Sequence, residues 1–142
     1  LSVNLNGTFH CVWRAKDGMR KRGYGNIVCI SSVGGLVPSR IRSDRLIAYG
    51  TSKAAVIGFS RNCASAFGPE IRVNCIAPGL IDTDMTKDMT EETRERIIAA
   101  TPVRRTGTPE DVAALTHFLL SDAASFITGQ TYVTSGGSVT SP

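Results

Sequence analysis

Tyr49 and Lys53 stand four residues apart at the start of an apolar run. On a helix that spacing puts the phenol and the ammonium on one face, one turn apart. At about 4 Å and an effective dielectric of about 20, the positive charge favours the phenolate by about 4 kcal/mol, which suits the phenol to proton exchange. Tyr and Lys at this spacing also occur as ordinary helix-surface pairs. A third group, Ser32, follows an apolar run at 26–31; alone, it reads equally as a serine making a local turn bond. Together the three meet a specific need. A carbonyl accepting hydride develops negative charge on oxygen, so it requires a fixed hydrogen-bond donor (Ser32), a proton source (Tyr49) and a charge that tunes that source (Lys53).

The elements that must position these groups follow from pattern. Residues 2–22 read as a helix with Val3, Phe9, Val12, Trp13 and Met19 inward and a basic C-terminal end that suits the helix dipole, stopped by Gly23 and Gly25. Gly23-Tyr24-Gly25 looks like the opening of a GxGxxG motif but precedes a strand, so it reads as a helix-ending turn. Residues 26–31, 71–76 and 131–134 are short β-branched runs suited to strands, the second ended by Ala77-Pro78-Gly79. A loop at 32–46 carries Arg40, Arg42 and Arg45, a basic patch suited to an acidic or phosphorylated carrier and equally to a solvated surface.

A second helix is predicted over 48–67, rich in small residues, and charged amphipathic turns over 83–105 as a mobile cover. Thr108 caps a further helix with Pro109 at its first position and two acids behind it. The alternation predicts an α/β fold with a parallel sheet and right-handed crossovers. Ligands of such sheets gather beyond the carboxyl ends of the strands, where Ser31, Ser32, Pro78 and Gly79 would lie and where Tyr49 opens the following helix.

Composition excludes several classes. The chain has 142 residues, 42% hydrophobic and 20% charged, which fits one globular domain. Net charge is +4 with a pI near 9.1, yet the basic residues form no long block, so nucleic acid is not an expected partner. No apolar run approaches the roughly 18 residues of a membrane span. Cys11, Cys29, Cys63 and Cys75 form no CxxC pair and read as buried reduced thiols, consistent with a cytoplasmic location. His10 and His117 lack partners at ligand spacing, so no metal is expected.

Five motifs in order, VNLNGTF (3–9), GNIVCISSVGG (25–35), YGTSK (49–53), IRVNCIAPGLIDTDM (71–85) and TGQTYVTSGG (128–137), resemble the short-chain dehydrogenase/reductase family. PGLIDTDMT, PEDVA and SDAASFITG resemble its β-ketoacyl-carrier-protein reductase branch. The resemblance implies a catalytic set of Asn4, Ser32, Tyr49 and Lys53, with Asn4 holding a water against the lysine. It implies a nicotinamide cofactor, NADP(H) or NAD(H), contacted by Tyr49, Lys53, Pro78, Gly79, Ile81 and Thr83, and a structural role for Asn74. Ser135 departs from the Asp or Asn common before the paired glycines.

The same resemblance implies that residues 1–142 form a single partial domain, the C-terminal catalytic part of a doubly wound Rossmann-like sheet. Three strands with flanking helices are present; the glycine-rich βαβ units that bind dinucleotide, and any targeting signal, would precede Leu1. The first strand would then show an unpaired edge, and the piece alone would be inactive. The implied function is NAD(P)-dependent hydride transfer between the cofactor and a carbonyl or secondary alcohol, 3-oxoacyl thioesters included, in a homodimer or homotetramer. The alternative is a reductase-derived fragment serving as a non-catalytic association module.

Overall fold

A computed structural model describes residues 1–38 and 43–140, with Arg45 described by its backbone alone. At its centre is a three-stranded parallel sheet: β1 (Gly25–Ile30), β2 (Ile71–Pro78) and β3 (Thr131–Thr134), in the order β1-β2-β3. Gly25 pairs with Ile71 and Ile30 with Ile76, while Cys75 pairs with Thr131 and Pro78 with Thr134. The expected parallel α/β architecture is therefore observed, with β1 at an edge among the described residues.

β2 is central because apolar side chains on each of its faces meet a helical layer. Ile71, Val73 and Cys75 pack against Val12 of α1 (Thr8–Lys21) and against Val56, Ile57, Cys63 and Phe67 of α2 (Arg45–Phe67). On the other face Ile76 packs with Leu119 of α4 (Pro109–Leu120) and with Ala124. Removing one such branched aliphatic side chain from water contributes about 1.5–3 kcal/mol, so β2 is the plate on which both helical layers rest.

Three expectations are corrected. The strand at 71–76 does not stop before Ala77-Pro78 but runs through Pro78: Cys75 and Gly79 N–H donate toward β3, so the missing Pro78 N–H faces the β1 side, where pairing ends at Ile30 and Ile76, and costs no ladder bond. The helix at 2–22 begins as a π-helical turn, Ser2–Gly7, before becoming α1. Its inward face is also narrower than predicted. Leu5, Val12 and Met19, two turns apart, meet the core, whereas Val3, Phe9 and Trp13 are 82%, 38% and 50% exposed. Phe9 and Trp13 occupy the neighbouring stripe, where they stack on each other at 5.2 Å between centroids, and Phe9 also meets Phe59 at 5.5 Å. α1 ends as predicted: Gly23, at φ +72, sends its N–H to Arg20 O while Tyr24 N–H reaches Met19 O.

The charged stretch at 83–105 resolves into turns and one helix, α3 (Glu91–Ala100), capped by Thr90. It leaves and rejoins the body at a single place. Ile81 and Gly107 form an isolated parallel bridge, with Asp82 N–H donating to Gly107 O and Gly107 N–H to Leu80 O, both at 2.9 Å. α4 then starts on the predicted cap. Thr108 Oγ1 accepts from Asp111 N–H, Asp111 accepts from Thr108 N–H at 2.8 Å, and Arg105 bonds both Asp111 oxygens at 2.6 and 3.0 Å.

Cys29, Cys63 and Cys75 are buried as expected, but Cys11, on the solvent side of α1, is exposed. Burial pushes the Cys29 thiol up to about 12. Among the described residues no helix is long and apolar enough to cross a membrane.

Candidate active site

Ser32 leaves the carboxyl end of β1 in extended conformation and caps a 3-10 turn, Val33–Gly35, its Oγ accepting from Gly34 N–H at 3.1 Å. That turn is pressed against α2. A Cβ on Gly35 would lie 2.6 Å from the Lys53 carbonyl carbon and 2.7 Å from Ala54 N, so only glycine lets the two backbones touch here. The contact fixes the serine beside the tyrosine. A Cβ on Gly34 would sit 3.6 Å from both Ser32 Oγ and the Tyr49 ring.

The predicted helical pair is observed: Tyr49 and Lys53 share a face of α2, with Lys53 Nζ 5.8 Å from the tyrosine ring centroid. Lys53 Nζ donates to the Ile30 carbonyl at 3.0 Å, and Ser31 Oγ donates to the Lys53 carbonyl at 2.7 Å, so the end of β1 grips the lysine twice. Burial pushes the Lys53 ammonium below its usual range. Asn4 joins from the π-helical turn, but not by direct contact with Lys53. Its Nδ2 donates to Ser52 Oγ at 3.1 Å, and Ser52 Oγ donates to the Tyr49 carbonyl at 2.7 Å.

Ser32 and Tyr49 open into a cavity of about 1230 Å³. Gly79 forms part of its wall, as expected of a residue beyond β2, whereas Pro78, Ile81 and Thr83 do not line it. Pro78 is held in the sheet and Ile81 in its bridge; Thr83 N–H donates to Thr86 Oγ1 at 3.0 Å. The basic loop lies outside the described residues: Arg40 and Arg42 entirely, Arg45 in its side chain. Asn74 is structural, as expected. It is 1% exposed, donates to Ile127 O at 2.9 Å and accepts from Gln130 N–H at 3.1 Å, tying β2 to the approach of β3.

Several contributors went unpredicted. Ser52 relays Asn4 to the tyrosine, and its position one residue before Lys53 was the available signal. Leu46, Met85, Met89, Arg96 and Ile97 wall the cavity, yet in the sequence they are scattered over fifty residues. The donor set suits a nucleoside ligand. A lysine ammonium has three N–H donors, and Ile30 O takes one of them, leaving two for sugar hydroxyls among the described residues.

The Enoyl-(Acyl carrier protein) reductase family profile matches residues 1–139. The chain is 40% identical over 138 residues to the 3-oxoacyl-[acyl-carrier-protein] reductase FabG of Aquifex aeolicus, covering 96% of this chain and 54% of that protein. It is 41% identical over 140 residues to Dehydrogenase/reductase SDR family member 4 of Mus musculus, covering 96% and 49%. This chain belongs to the short-chain dehydrogenase/reductase family. It spans about half the length of the curated family members it matches.

Solved structures of the short-chain dehydrogenase/reductase family superpose closely. A short-chain type dehydrogenase/reductase from Mycobacterium ulcerans gives a TM-score of 0.88 at 39% identity, over 95% of this chain and 49% of that one. A 3-oxoacyl-[acyl-carrier protein] reductase from Brucella melitensis with bound NAD gives 0.85 at 39% identity, over 95% and 48%. These relatives carry the names of reductases and dehydrogenases and lend no support to a non-catalytic association module.

Proposed function

We propose that this chain is the C-terminal catalytic part of an NAD(P)-dependent ketoreductase, interconverting a carbonyl and a secondary alcohol, with 3-oxoacyl thioesters the first substrates to test. The observation that carries the reading is the placement of Ser32 and Tyr49 on one cavity wall with Lys53 on the same helix face as the tyrosine. A nicotinamide cofactor, NAD(H) or NADP(H), supplies the hydride in reduction and takes it up in oxidation. Tyr49, Lys53, Pro78, Gly79, Ile81 and Thr83 are the residues assigned to contact it, and of these Tyr49 and Gly79 line the cavity. The dinucleotide-binding units are assigned to the part of the relatives' length that the chain does not span.

In the reductive direction the substrate oxygen accepts from Ser32 Oγ and takes its proton from the Tyr49 hydroxyl as negative charge develops on it. Lys53 stabilises the phenolate left behind. Asn4 acts one step back: through Ser52 it holds the Tyr49 carbonyl, and with it the first turns of α2. The protein works in the cytoplasm as a homodimer or homotetramer, and the exposed Phe9–Trp13 stack supplies an apolar surface for that association.

Tyr49→Phe in the full-length protein tests the assignment. It removes the proton donor while keeping the ring, so kcat falls by about 10²–10⁴-fold with cofactor affinity nearly intact. A variant that keeps most of its kcat would refute the role.

A further inference from the structure

The cavity that holds Ser32 and Tyr49 is apolar over most of its wall, and among its described lining residues one side chain is charged: Arg96, on α3. Its neighbours in sequence are already engaged. Arg94 pairs with Asp82 at 3.0 Å and bonds Thr86 O, Arg104 bonds Ala99 O, and Arg105 pairs with Asp111. Arg96 has neither an ion-pair nor a hydrogen-bond partner among the described residues, although Glu92 stands one helical turn before it. Among the described residues no carboxylate lines the cavity to compete for it.

A guanidinium at the mouth of an apolar chamber is a poor neighbour for a purely hydrocarbon substrate and a good one for an oxyanion, which its planar fork meets with two parallel hydrogen bonds. Resting on the ketoreductase reading above, we propose that Arg96 selects substrates bearing a carboxylate. These are oxo acids whose carbonyl sits at Ser32 and Tyr49, whose apolar body lies along Met85, Met89 and Ile97, and whose carboxylate reaches Arg96. Because Arg96 is exposed to solvent, its hold on a carboxylate is screened and the preference is moderate, about tenfold, which is about 1.4 kcal/mol.

The test compares kcat/KM for a series of straight-chain oxo acids and for their methyl esters, using the full-length protein. Wild type prefers the acid about tenfold at the best chain length. Arg96→Met, which keeps the apolar stem, brings the acid-to-ester ratio near one; Arg96→Lys retains part of it; Arg22→Met, at the far end of α1, leaves it intact. Ester reduction with no preference for the acid in wild type, or a preference that survives Arg96→Met, overturns the assignment while leaving the reductase reading standing. Failure to reduce any acid or ester overturns both.

Discussion

Replacing Gly35 with alanine strikes the contact that sets the catalytic geometry. The added Cβ would lie 2.6 Å from the Lys53 carbonyl carbon, 2.7 Å from Ala54 N and 2.9 Å from the Lys53 carbonyl oxygen. All three are backbone atoms of α2, so no side chain can swing aside. Reaching an ordinary contact of about 3.5 Å requires the 3-10 turn and the helix to part by about 1 Å. Overpacking of this kind costs up to about 3 kcal/mol, while the stiffer unfolded chain returns about 0.5–1 kcal/mol, leaving a net loss of about 2 kcal/mol. The same displacement carries Ser32 away from Tyr49, and a shift of about 1 Å in reacting groups costs about a hundredfold in rate. Urea denaturation followed by circular dichroism reads the first quantity, and steady-state kinetics on a reference ketone reads the second. Gly34→Ala is the control, since its nearest contacts would be at 3.6 Å and its urea midpoint should hardly move. The reasoning fails if Gly35→Ala keeps both the wild-type midpoint and the wild-type kcat.

Other perturbations probe separate parts of the molecule. Hydrogen bonding from the Arg105 guanidinium, then from Thr108 N–H, holds the Asp111 carboxyl well below its usual 3.8. A depressed carboxyl stabilises the fold above its unfolded value and loses that contribution as pH falls through the folded one. Asp111→Asn should therefore lower Tm at pH 7, with the gap to wild type closing below about pH 4; a gap that persists in acid would refute the assignment. Cys29, raised by burial to about 12, should stay unmodified by iodoacetamide at pH 8 until the protein unfolds, as mass spectrometry of its tryptic peptide would report. Ile76→Ala, at a side chain with no exposure between the sheet and α4, should cost about 2–5 kcal/mol in urea unfolding; a smaller loss would mean that this face of β2 repacks.

Much of this arrangement is legible in local residue patterns. The four-residue spacing of Tyr49 and Lys53 needs only a helix to put both on one face, and Thr108-Pro109 announces α4 because a cap is chemistry between neighbours in sequence. β3 keeps its predicted limits, 131–134, since β-branched residues run up to a glycine turn. What escapes prediction depends on distant partners. Phe9 and Trp13 look like core by hydrophobicity, but the sheet reaches only the stripe through Leu5, Val12 and Met19. Pro78 looks like a stop, yet the ladder passes it because the donors toward β3 fall on alternate residues, Cys75 and Gly79 among them, and not on Pro78. Arg96 and Met89 belong to the site only because the chain returns at Gly107, a closure that no local pattern signals.

That closure has a consequence for how substrate range can change. The excursion from Ile81 to Gly107 carries Met85, Met89, Arg96 and Ile97, yet its two ends are adjacent, pinned by one bridge and its hydrogen bonds. The entropy of closing a loop grows only slowly with its length, about 0.6 kcal/mol per doubling. A segment of different length or composition can therefore be spliced between the same two anchors with little effect on the sheet, on Gly35 or on the tyrosine. The chain is built as a fixed reaction wall facing an exchangeable cassette, and new specificities are to be sought by replacing residues 83–100 as a block, leaving in place Val103, which donates to Gly136 O, and Arg105, which pairs with Asp111.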